Sequence, residues 1–167
     1  MKKKYKLTDE TINVGGKKLC RIEALKDFGD VKKGDKGGFI EDEHNLSHDG
    51  NSWVYGNARV YGNAWVCGNA RVCGNAWVFG NACVCGDARV CDNAKIENKS
   101  DYIVFKNWWS SGRYFTWTRS NDMWKVGCFS GTGEELIKKA YKDSEKSGRE
   151  YERIVKYVEE IKKDNGI

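Results

Sequence analysis

At 167 residues, with 40% apolar and 13% aromatic content, the chain can build one or two small packed domains, and a disordered tail is excluded. The formal charge of +5 is unevenly placed: residues 1–40 hold eleven Lys/Arg against six Asp/Glu, residues 41–99 five against seven, and residues 100–167 thirteen against eleven. A middle section with that balance is no polyanion-coating stripe, so duplex nucleic acid is disfavoured as a partner.

The start, MKKKYKLTDE, is basic with no apolar run behind it, and no later stretch approaches the ~20 apolar residues of a membrane span. A cytoplasmic protein without membrane contact is expected. The segment YKLTDETINVGGKKLCRIEALKDFGDVKKGDKGGFI places a Gly-Gly turn between extended runs, which predicts a β-hairpin in residues 1–30 that caps whatever follows.

From Val54 the chain reads VYGNAR, VYGNAW, VCGNAR, VCGNAW, VFGNAC, VCGDAR, VCDNAK, then Ile96. Position one is always Val and position five always Ala, and Asp87 and Asp92 are the only departures within the Gly-Asn pairs. One β-branched residue per unit with a Gly-Asn pair in a fixed place predicts a short strand followed by a corner, because both residues tolerate positive φ. Val then points inward and its neighbours outward. The period alone argues for a β-solenoid. Upstream it loosens, since Ile40 and Leu46 are six apart but Val54 lies eight beyond Leu46; the solenoid is assigned to residues 31–99. Seven cysteines, an odd number at spacings set by the repeat, are expected to be reduced thiols rather than a disulfide framework.

This pattern resembles the hexapeptide-repeat family. The resemblance implies a left-handed parallel β-helix, the known exception to right-handed crossovers, with three hexapeptides per triangular coil and a homotrimeric assembly. With such a coil, residues eighteen apart stack about 4.8 Å from one another and three outward faces follow. One carries Trp65 and Cys67 over Cys83 and Cys85. A second carries Trp53 and Tyr55 over Arg71 and Cys73, then Arg89 and Cys91. The third carries Arg59 and Tyr61 over Trp77 and Phe79, then Lys95 and Glu97. The first face has no charge, so Trp65, Cys67, Cys83 and Cys85 are expected to be covered by another subunit or by the C-terminal domain. On the third, Trp77 or Tyr61 could stack on a planar ligand beside Arg59 in a cleft between subunits; a purely structural contact is the alternative.

Hexapeptide-repeat proteins are often acyltransferases with a catalytic His and a donor-holding loop, or carbonic anhydrases with three His ligands. This chain departs from both. Its two histidines are His44 and His48, and no loop interrupts the repeat from Val54 to Ile96. A three-His zinc site is impossible, and His48 as a catalytic base competes with a solvated loop residue. Cys67 with Cys85, and Cys73 with Cys91, would be near neighbours in stacked coils, and Cys83 shares a strand with Cys85. Three thiols on one flat face do not make the closed tetrahedral set of structural zinc. Neither a catalytic residue, a metal nor a cofactor is expected.

After Ser100 the period of six stops. DYIVFKNWW, RYFTWTRS and MWKVGCF alternate like strands, and Thr132/Glu135 and Ser147/Glu150 form two capping boxes that open helices. Tyr151, Ile154, Val158 and Ile161 make an apolar stripe on the second. Residues 100–167 are thus expected to form a small α+β domain of three strands and two helices, attached to a mainly β chain. Within it Arg113, Tyr114, Trp117, Arg119, Trp124 and Lys125 interleave aromatics with cations. That is the composition of a nucleotide or single-stranded nucleic-acid site, though a half-exposed sheet with a cross-strand Trp ladder is the favoured reading.

The GCFSGT–EEL segment and the SSGR stretch resemble C-terminal modules of bacteriophage and prophage proteins of unknown function, which implies a phage-encoded origin. The function expected is that of a non-catalytic oligomeric binding protein, a trimer, that antagonises a bacterial defence system. Its partner would be a nucleotide second messenger held in a pocket or a host defence protein. A minimal acyltransferase and a structural or virion accessory protein are the alternatives.

Overall fold

The computed structural model describes residues 2–167, so of the predicted N-terminal cap Met1 alone lies outside the described residues. β1 (Tyr5–Val14) and β2 (Lys17–Ala24) form the expected antiparallel hairpin, closed by Gly15 and Gly16. β2 pairs antiparallel with β3 (Lys36–Ile40), and from β3 through the solenoid the pairing becomes parallel.

Eight two-residue strands then follow in chain order: β4 (Trp53–Val54), β5 (Arg59–Val60), β6 (Trp65–Val66), β7 (Arg71–Val72), β8 (Trp77–Val78), β9 (Cys83–Val84), β10 (Arg89–Val90) and β11 (Lys95–Ile96). They stack into three flat faces, β3-β5-β8-β11, β4-β7-β10 and β6-β9, which make a β-solenoid. From β4 on, every pairing joins residues eighteen apart, as in Trp53 with Arg71 and Arg71 with Arg89. The first coil is two residues longer, pairing Ile40 with Val60 and Leu46 with Val66, and this absorbs the irregular spacing before Val54.

The repeat explains the core. Val54 through Val90 at intervals of six, Ile96, and Ala58 through Ala94 are each no more than 1% exposed. Val fills the interior of each face, and Ala is the residue small enough for the corner beside it. The corner glycines hold φ between 58° and 68°, and where the last corner replaces Gly with Asp92 that residue takes φ 60°. Stacking tightens some corners more than others. A Cβ on Gly68 would lie 3.0 Å from the Gly86 backbone nitrogen, whereas one on Gly86 would meet open space.

A parallel stack leaves unpaired backbone groups on its first and last coils, and both ends are closed by side chains. At the first, the Lys4 ammonium donates to the Ser52 carbonyl at 2.8 Å, and the Tyr5 hydroxyl donates to the Leu46 carbonyl at 2.7 Å. Asn45, fully buried, donates to the Ala64 carbonyl at 2.8 Å. His48 belongs to the same cap: its Nδ1 accepts from the Lys4 amide at 3.1 Å and its ring stacks on Tyr5 at 4.3 Å. His44 Nε2 lies 2.8 Å from the Gly62 carbonyl. Both histidines therefore serve the cap.

The C-terminal domain closes the other end. It is a four-stranded antiparallel sheet in the order β12 (Tyr102–Lys106), β13 (Tyr114–Thr118), β14 (Met123–Val126), β15 (Phe129–Gly131), covered by α1 (Gly133–Asp143) and α2 (Glu145–Asp164). The expected three strands become four because the CFSG stretch turns back at Gly127 and pairs Phe129 with Val126. Thr132 and Glu135 make the reciprocal capping box of α1, but α2 begins earlier than expected. Its N-cap is Ser144, which accepts from the Ser147 amide at 3.0 Å, so Ser147 and Glu150 lie inside the helix. The buried stripe of α2 is accordingly Tyr151, Val155 and Val158, not Ile161. Among the described residues no helix is long and apolar enough to cross a membrane.

Two outcomes follow from the stack and its first cap. Gly86→Ala should destabilise by about 1 kcal/mol, the ordinary penalty of positive φ, and Gly68→Ala by about 2–3 kcal/mol because its Cβ also meets the next corner; urea denaturation of the two variants measures the difference. Burial, then the nearby Lys26, lowers the Lys4 pKa from 10.5 to about 8. Between those values the unfolded chain holds a proton that the folded chain does not, so stability should rise with pH across this window. The difference between the parent and Lys4→Met should therefore shift toward the parent from pH 8 to about pH 9, before tyrosines titrate.

Candidate functional site

The docking of the C-terminal domain is defined by four polar contacts. The Arg89 amide donates to Thr116 Oγ1 at 2.9 Å, the Lys95 amide to Ser120 Oγ at 2.7 Å, and the Tyr102 hydroxyl to the Cys83 carbonyl at 2.8 Å. Ser130 also donates to the Asp92 carboxylate. Each engages the last coil, whose outward N–H and C=O groups would otherwise lack partners. The consequence is that the start of β13 and part of β14 come over the β4-β7-β10 face.

There Arg113 and Tyr114 enclose, with Arg71, Arg89, Asp87 and Asn69, a cleft of about 300 Å³. A neighbouring hollow of about 220 Å³ shares Arg71 and Arg89 and adds Tyr55, Lys125 and the Cys73–Cys91 pair. Four cations thus line these two adjoining hollows, a groove built from both domains. Arg71 and Arg89 are paired directly in register on adjacent strands, an arrangement of like charges that is unfavourable unless an anion lies between or beside them.

One of the pair has such an anion. Asp30 accepts from Arg71 at 2.9 Å and from the Tyr55 hydroxyl at 2.9 Å. Burial alone would raise the Asp30 carboxyl, but the Tyr55 hydrogen bond and the Arg71 charge outweigh it and hold it below the usual range. Burial, then the bond to Asp30, pushes Tyr55 up to about 12. Among the described residues no carboxylate lies within 4.0 Å of the cationic groups of Arg89, Arg113 or Lys125. Three uncommitted cations with an exposed Tyr114 ring beside them can take a phosphate-bearing ligand with a planar group: guanidinium forks match phosphate oxygens, and the ring offers a stacking surface.

The ligand-site residues expected from sequence divide among four places. Arg113, Tyr114 and Lys125 reach the groove. Trp117 and Trp124 do not: each is 1% exposed, they face one another across β13 and β14, and Trp117 Nε1 donates to Asp122 at 2.8 Å. They form the core of the C-terminal domain, because one face of its sheet is covered by the helices, and they are unavailable to a ligand. Arg119 lies 3.8 Å from Asp101, in a separate hollow with Phe79 and Lys95. Arg59, Tyr61 and Trp77 sit on the β3-β5-β8-β11 face, where the Arg59 guanidinium lies 5.0 Å from the Trp77 ring and Tyr61 stacks on Phe79 at 5.4 Å.

Trp65, Cys67, Cys83 and Cys85 share the β6-β9 face, with Trp65 47% exposed. The expectation of seven reduced thiols is corrected here: Cys67–Cys85 and Cys73–Cys91 are disulfides. The eighteen-residue coil brings their Cα atoms to 4.6 and 4.5 Å, inside the range a disulfide spans. Cys20, Cys83 and Cys128 remain free.

Sequence reasoning missed Arg71, Arg89, Asp30 and Tyr55 as site residues. The stacking of Arg71 on Arg89 was visible in the eighteen-residue offset; the domain that covers them, and Asp30 from the loop after β2, were not.

Asp30→Asn should free Arg71 and strengthen binding of inorganic pyrophosphate, used as a probe, by about 3- to 10-fold. Calorimetry at low and moderate salt measures it, and equal affinity in both proteins would place the anion elsewhere.

Comparison with known proteins agrees with the stacked architecture. Residues 54–68 and 70–86 are similar to the YdcK beta solenoid repeat. None of the curated proteins matches the chain. The similarity of these two stretches and the stacked fold agree on a β-solenoid.

Proposed function

We propose that this is a non-catalytic binding protein that sequesters a nucleotide signal in the groove between its solenoid and its C-terminal domain. The observation that carries the reading is the convergence of Arg71, Arg89, Arg113 and Lys125 beside Tyr114. The groove offers phosphate donors and an aromatic ring, and its lining holds no paired nucleophile and base of the sort that covalent or general-base chemistry needs. Release of an intact ligand, not a product, is the chemistry such a lining supports.

The likeness of the C-terminal segment to phage modules directs the proposal further, to a signal used in bacterial defence, withheld by a phage-encoded protein in the host cytoplasm. The likeness of the repeat to hexapeptide proteins supports assembly as a homotrimer.

Native mass spectrometry of the full chain with a panel of mono-, linear oligo- and cyclic oligonucleotides tests this. A trimer carrying an unaltered nucleotide, lost on Arg89→Glu and on Arg113→Glu, is expected. Absence of binding across the panel, or conversion of the nucleotide, would overturn it.

A further inference from the structure

The β6-β9 face holds chemistry that the groove does not use. In the repeat, position six reads Arg, Trp, Arg, Trp, Cys, Arg, Lys; the single cysteine there is Cys83. It falls where position two of the neighbouring units supplies Cys67 and Cys85. The three Sγ atoms all lie within 4.8 Å of one another, and Cys83 Sγ is 3.2 Å from Cys85 Sγ. All three residues are half-buried, so a small solute reaches them while the stacked strands hold them in place. The Tyr102 bond to the Cys83 carbonyl, 2.8 Å, fixes this strand to the C-terminal domain. Cys73 and Cys91, by contrast, are a pair with no third sulfur in their cluster.

We propose that the reduced form of this face binds one Cu(I)-type soft monovalent cation through Cys67, Cys83 and Cys85, and that the Cys67–Cys85 disulfide is the closed, metal-free state of the same site. Metal–sulfur bonds near 2.3 Å put the corners of a three-sulfur triangle about 4 Å apart, which side-chain rotation from the observed positions can reach. Among the described residues no His, Asp or Glu completes the cluster, so zinc would lack its fourth protein ligand. An all-thiolate set of three is what a soft d¹⁰ monovalent ion accepts.

The cycle balances. A cytosolic dithiol of the thioredoxin class delivers two electrons and two protons to the Cys67–Cys85 bond and becomes a disulfide itself. The three protein thiols then take one Cu(I) and release up to three protons. Re-formation of the disulfide, with its two electrons passing to an oxidised dithiol, removes two of the three ligands and expels the ion. Trp65, paired in register with Cys83, reports the event by fluorescence.

The test uses the full chain, reduced with a phosphine under argon or left oxidised, titrated with Cu(I) alone against a chromophoric Cu(I) chelator. One Cu(I) per chain with a three-sulfur shell in X-ray absorption is expected at this face of the reduced protein, none at this face of the oxidised protein, and quenching of Trp65 that Trp65→Phe abolishes. Cys83→Ser should weaken binding at least tenfold and leave two sulfurs, whereas Cys91→Ser leaves the Trp65 quench unchanged. Alkylating Cys83 in the oxidised protein, in a Cys20→Ser, Cys128→Ser background, and then reducing it, should reproduce the loss without relying on the folding of the variant. A three-sulfur shell that survives loss of Cys83, or Trp65 emission indifferent to Cu(I), would overturn the site.

Discussion

Everything in this molecule hangs on the parallel backbone ladder between coils. It repeats every eighteen residues, as in the Trp77 amide donating to the Ala94 carbonyl at 2.9 Å, and it stacks like positions over like. A ladder of this kind has two ends, and a buried N–H or C=O left without a partner loses about 1–3 kcal/mol. The terminal segments answer that demand with different chemistry. At the first coil an ammonium and a phenol donate to carbonyls; at the last, one phenol donates to a carbonyl while hydroxyls and a carboxylate accept from amides, with Glu97 and Asn98 donating to Asp101 at 2.9 and 2.8 Å.

Closing the ends also creates the groove. The hydroxyls that accept from the last coil belong to β13 and the turn after it, so satisfying the ladder brings Arg113 and Tyr114 over the stacked arginines. The same stacking that makes Arg71 and Arg89 repel one another makes them a ready receptor for an anion, and Asp30 compensates only one of them. Electrostatic strain on one face and a missing hydrogen-bond edge at the end of the coil thus meet at one place.

The cysteines show how a repeat converts small changes of letter into chemistry. Residues eighteen apart are held at a spacing that disulfides accept, so position-two cysteines pair across coils. Cys83 departs from the Arg and Trp of its position, and one substitution turns a pair into a cluster of three. The expectation of free thiols rested on the odd count and the regular spacing, and it failed because regular spacing is what places sulfur over sulfur.

The amino-acid sequence by itself determined the solenoid, the hairpin before it and the first capping box, because each depends on interactions a few residues apart or on a period that repeats unchanged. Inward Val, corner Ala and positive-φ Gly leave one way for the middle of the chain to bury its apolar surface. Tertiary structure alone decided which outward residues would matter. Trp117 and Trp124 read as stacking platforms or as a cross-strand ladder until α1 and α2 covered them, and Arg71 and Arg89 read only as neighbours on one outward face until β13 and Asp30 closed over them. The reason is that docking depends on complementarity between groups far apart in the chain, such as the Arg89 amide with Thr116, and neither composition nor period records that pairing.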